Sequence, residues 1–124
     1  MEYIERDAQM LLIERLRRGT ARDKYSWKPS KDNDYRFSLA AGDFVFVISS
    51  RDKDDYAPFL LEIYRHSPEG GFKKLQVVET EPDVAELSLA LEDLYVDVKR
   101  KTLRLEIVAD ELFGALDSLE DDEQ

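Results

Sequence analysis

From Tyr35 to Tyr64 the chain reads YRFSLAAGDFVFVISSRDKDDYAPFLLEIY, and this stretch constrains the fold more than any other. Phe44, Phe46 and Ile48 alternate with Val45 and Val47, so a strand here is apolar on both faces. Such a strand belongs inside a sheet, with something covering each side or a partner lying on one. Ala41-Gly42-Asp43 gives a tight turn before it and Ser49–Tyr56 a turn after it. Phe37 and Leu39 alternate on the preceding strand. Pro58 opens a following one, FLLEIYRH, where a missing N–H is tolerated. Ser67-Pro68-Glu69-Gly70-Gly71 is a hairpin connection into a strand from Phe72 to Val78. Short links between consecutive strands make these four an antiparallel meander.

Helical periodicity flanks the strands. In residues 3–18, Ile4, Ala8, Leu11, Leu12 and Leu16 share a face, with Arg15, Arg17 and Arg18 complementing the dipole and Gly19 as a stop. After the meander, Thr80-Glu81-Pro82-Asp83 is a helix start with Thr80 as its cap. Val84, Leu87, Leu91, Leu94 and Val98 follow at helical spacing, joined by Tyr95. A further helix over about 105–119 carries Leu105, Val108, Leu112, Leu116 and Leu119, with Phe113 adding width. The change of stripe near Thr102–Arg104 separates the two. The expected fold is therefore α+β: an N-terminal helix, a four-stranded antiparallel meander, and two C-terminal helices packed on the sheet. It is a single domain over 1–119 with an acidic tail at 120–124, and all three helical stripes bury one sheet face.

The 124 residues are enough to bury a core without a metal or disulfide staple. The absence of cysteine removes disulfides, thiolate metal sites and cysteine nucleophiles, and suits a reducing compartment. No apolar run approaches the ~20 residues of a membrane span. The charged N-terminus, MEYIERDAQ, lacks the apolar centre of a signal peptide. The expectation is a cytoplasmic protein with no membrane contact. The net charge of −10 is uneven. Residues 1–31 hold eight Lys/Arg against five Asp/Glu, and the remainder ten against twenty-three. Most of the surface would repel phosphates, which ranks nucleic acid low as a partner.

Three groups of residues are candidates for chemistry or binding. Asp52, Asp54 and Asp55 lie in one turn and are of the type that binds Ca²⁺ or Mg²⁺. An EF-hand loop starting at Asp52 would need glycine where Ala57 stands and Glu where Ile63 stands, and Arg51 and Lys53 oppose a cation. A solvated turn is the simpler reading. The basic first quarter, with Arg15, Arg18, Arg22, Lys24, Trp27 and Lys28, could meet a polyanion, Trp27 stacking on bases. The competing reading makes Trp27 and Tyr25 a plug at one end of the core. Val45, Val47, Leu60 and Tyr64 form the second apolar face and are the candidate protein-binding patch. His66, the only histidine, has no obvious catalytic partner in sequence, and neither a phosphate loop nor a nucleophile elbow is present. No cofactor and no catalytic residue is assigned.

With its short N-terminal helix, the Trp27-Lys28-Pro29 connector, the meander and the paired C-terminal helices, the chain resembles small bacterial α+β domains of unknown function. The resemblance implies the fold and carries over no functional residue. In size and acidity the chain is also similar to secretion chaperones, whose usual order places a helix between strands. The functional expectation is a non-enzymatic protein-interaction or adaptor module, self-association included. Polyanion binding through the first quarter and divalent-metal binding at the aspartate turn are the alternatives.

Overall fold

The alternation in the central strands sets the architecture. The computed structural model describes residues 5–103 and 109–122. In chain order the elements are α1 (Arg6–Ala21), β1 (Lys28–Pro29), β2 (Arg36–Ala41), β3 (Phe44–Ser50), β4 (Phe59–His66), β5 (Phe72–Glu79), α2 (Ala85–Leu103) and α3 (Ala109–Asp122). The five strands form one antiparallel sheet in sequence order. The α+β class and the meander agree with expectation. The strand count does not, because Lys28 and Pro29 add a short edge strand against Ser38 and Phe37. Two residues are too few to show any period.

The register Leu39↔Phe46↔Ile63 and Phe37↔Ile48↔Leu61↔Val78 puts one set of side chains on the helix-covered face. Ile13 and Leu16 of α1, and Leu87, Leu91, Leu94, Tyr95 and Val98 of α2, close over it. Tyr95 lies edge-on to Phe37 and 4.9 Å from the Phe59 ring. α1 and α2 run parallel. Arg6 pairs with Glu81 just before α2, Arg17 reaches Asp93 and Asp97, and Lys101 meets Asp23 just after α1.

Three local expectations are corrected. Gly19 does not stop α1, which runs on to Ala21. A Cβ at Gly19 would lie 2.0 Å from the Tyr25 ring, so glycine is there for close approach of that ring. Thr80 does not cap α2, which starts at Ala85; its hydroxyl instead accepts the Phe59 N–H at 2.9 Å and ties the end of the sheet. The third correction concerns α3. It is not packed on the sheet, since every side chain from Asp110 to Glu120 is exposed. It also extends to Asp122, into the expected tail. Ile4, Leu105 and Val108 of the expected stripes lie outside the described residues.

Candidate functional site

The outer face of the sheet carries Val45, Val47, Leu60 and Tyr64 side by side, through the pairs Val45↔Tyr64 and Ser49↔Leu60. It is not an open apolar patch. Val47 is 4% exposed and the other three are half-buried. Glu62, the register partner of Val47 on β4, is itself only 7% exposed in its side chain. Its carboxylate accepts from the Tyr64 hydroxyl and from Lys74 Nζ at 2.9 Å, with Arg36 at 3.6 Å. The long stems of Arg36 and Lys74 are suited to screening apolar neighbours while their heads stay wet. Burial pushes the Glu62 carboxyl up, but the Tyr64 hydroxyl, Lys74 and Arg36 outweigh it and hold the group below its ordinary range. The same carboxylate raises Lys74.

The three aspartates of the turn after β3 are engaged separately. Asp52 pairs with Arg51. Asp54 accepts from the Ser50 hydroxyl and the Tyr56 N–H. Asp55, at φ +66°, accepts from the buried Tyr95 hydroxyl at 2.6 Å and from Lys99. Burial and the adjoining Asp55 carboxylate raise the Tyr95 hydroxyl, which stays a donor. Asp55 itself feels burial, which raises it, yet Lys99 and Tyr95 bring it below its ordinary range. Among the described residues, no group of three His, Cys, Asp or Glu side chains is placed to hold a metal ion. The arrangement is a clamp fastening the turn to α2. Tyr95→Phe keeps the ring against Phe59 and loses only the hydrogen bond, so it should cost about 1 kcal/mol, read as a lower urea midpoint. An unchanged midpoint would remove the clamp.

In the basic first quarter, Trp27 is buried and donates from Nε1 to Thr20 Oγ1 at 2.9 Å, while Thr20 donates to the Leu16 carbonyl. Its ring is inside the core and offers no stacking surface. Arg15, Arg18, Arg22, Lys24 and Lys28 are exposed, and Arg18 is paired with Glu14. His66 is exposed and lies edge-on to Phe72.

Two further features were not singled out from sequence. On α3, Leu112, Phe113, Leu116 and Leu119 are 54–65% exposed along one side. The second is a groove beside α1, on the helix-covered face of the sheet. It is an open groove of about 600 Å³, lined by Leu11, Leu12, Phe44, Phe46, Ile63 and Leu75 together with Arg15 and Arg65. Leu11 within it is 62% exposed. The α3 stripe was visible in the sequence, and so was its charge. Residues 109–122 hold six acids and no Lys or Arg. No helix among the described residues is long and apolar enough to cross a membrane. Comparison with known proteins gives no match: no family model, no curated protein and no solved structure is significantly similar to this chain.

Proposed function

We propose that the protein is a non-catalytic protein-interaction module and that α3 is its contact element. One observation carries the reading: four large apolar side chains, each more than half exposed, share one side of a single helix. Scattered exposed leucines are ordinary, but a contiguous apolar stripe backed by charge is the signature of a surface made to be covered. The helix also needs a partner to be stable. It has 14 residues with Gly114 near its middle, and isolated helices of that length are marginal in water. The face around Val45, Val47, Leu60 and Tyr64, buried or half-buried, is the weaker surface.

A photo-crosslinking amino acid at Leu116, introduced in cells, tests this. The expected result is a covalent protein adduct at position 116 and none from the same probe at Lys28, an exposed position on β1. Absence of any adduct from probes at both Leu112 and Leu116 sinks the reading.

A further inference from the structure

We infer that the partner is a second copy of this chain, and that two copies exchange α3 helices, each seated in the groove between α1 and the sheet of the other. The inference rests on the interaction reading above and names its partner. It starts from an incomplete layer. The helix-covered face is closed by α1 and α2 where Phe37, Ile48, Leu61 and Val78 lie. Beside α1 the same face continues through the half-buried Phe44, Phe46 and Leu75, which line a groove with Leu11 and Leu12. A sheet face with half-buried apolar side chains has room for a further layer element, and α3 carries an exposed apolar stripe.

Charge selects the match. Arg15 and Arg65 both line the groove, the Arg65 guanidinium 5.1 Å from the centre of the Phe44 ring. α3 carries Asp110, Glu111, Asp117, Glu120, Asp121 and Asp122 and no cation. Its last turn holds only acids, where the helix dipole favours cations. Arginines beside the groove supply what that end lacks, and the same pairing orients the helix on approach. Fourteen residues span about 21 Å, and two helices exchanged about a two-fold axis make two identical contacts, doubling the buried surface.

The chain has no cysteine, so single-cysteine variants report contacts cleanly. Leu11→Cys marks the groove at an exposed position, and Leu112→Cys, Leu116→Cys and Leu119→Cys mark α3. Trp27 fluorescence confirms that each variant is folded. Sedimentation of the unmodified chain should show a dimer. Mild oxidation of a mixture of a groove variant and an α3 variant should give a covalent product with one chain of each kind. Leu116→Asp should weaken the dimer at least tenfold, and Gly114→Ala, on the polar side of the helix, should tighten it about fivefold. A monomer overturns the inference. So does a dimer crosslinked only from α3 to α3. A chain carrying Leu11→Cys and Leu116→Cys together that closes on itself also overturns it, since the occupant is then its own α3. If the protein is a monomer but the Leu116 probe still captures a different protein in cells, the second-copy partner fails while the interaction module stands.

Discussion

Trp27→Ala should lower the stability of the domain by about 3–5 kcal/mol, the largest single-residue effect expected outside the centre of the core. The side chain is 7% exposed and closes the end of the core between the last turn of α1 and β1. Its removal leaves a cavity the size of an indole beside Leu16 and Thr20, which cannot collapse because both are held on a helix. It also leaves the Thr20 hydroxyl without its donor at a position only 2% exposed. Trp27→Phe separates the two costs. It keeps most of the apolar volume and loses the Nε1 bond, so it should cost about 1 kcal/mol. Urea unfolding with unchanged slope reads both values. The pair also tests the polyanion alternative. A stacking tryptophan would be quenched by a single-stranded oligonucleotide at low salt, whereas the buried ring should show no quenching. An alanine variant within about 0.5 kcal/mol of the parent would deny the plug, since that is the range of surface substitutions.

The two readings of Trp27 show where sequence reasoning reaches its limit. Residue type and local spacing allowed both a plug and a platform, and the burial of Trp27 with its Nε1 bond to Thr20 in the last turn of α1 decides between them. Gly19 is similar. Read locally, glycine after a run of arginines is a helix stop, but the Tyr25 ring approaching from the following loop makes it an interior residue. The meander was legible because alternation in β3 and short turns act over few residues. Gly42, Gly70 and Gly71 all take positive φ in the expected turns. What covers each face was not legible. Periodicity says which side chains lie together, not what lies on top of them. Three stripes were counted for one sheet face, yet α3 stays off it. On the other face Val47 is buried and Arg36, Glu62 and Lys74 of the same sheet form an ion-paired group. A glutamate among apolar neighbours in FLLEIY was the one available clue.

That glutamate is the basis of the second large effect. Glu62→Gln should cost about 1–3 kcal/mol near neutral pH, because a buried acceptor of charged hydrogen bonds is replaced by a neutral amide that also brings a donor toward Lys74. Arg36 and Lys74 are 41% and 50% exposed and remain hydrated, which keeps the cost below that of a fully buried pair. The pH dependence has a definite sign. The folded carboxyl titrates below its ordinary value of 4.5, so its contribution is fully present above that pH. It is lost as pH falls through the folded value. The gap between the parent and Glu62→Gln should therefore be constant from neutral pH down to about 4.5 and narrow below it. A gap that widens with acid would mean that burial, rather than Tyr64, Lys74 and Arg36, controls the carboxyl. Glu62→Leu completes the comparison. Exchanging a buried charge for an apolar side chain of similar volume is often close to neutral for folding. It would, however, join Val45, Val47 and Leu60 into one apolar surface with nothing over it. Made together with Leu116→Asp, to keep α3 out of any contact, it should fold normally and associate in sedimentation, while Leu116→Asp alone stays monomeric. If the double variant also stays monomeric, Arg36 and Lys74 cover those valines by themselves, and Glu62 serves the fold only as their counter-charge.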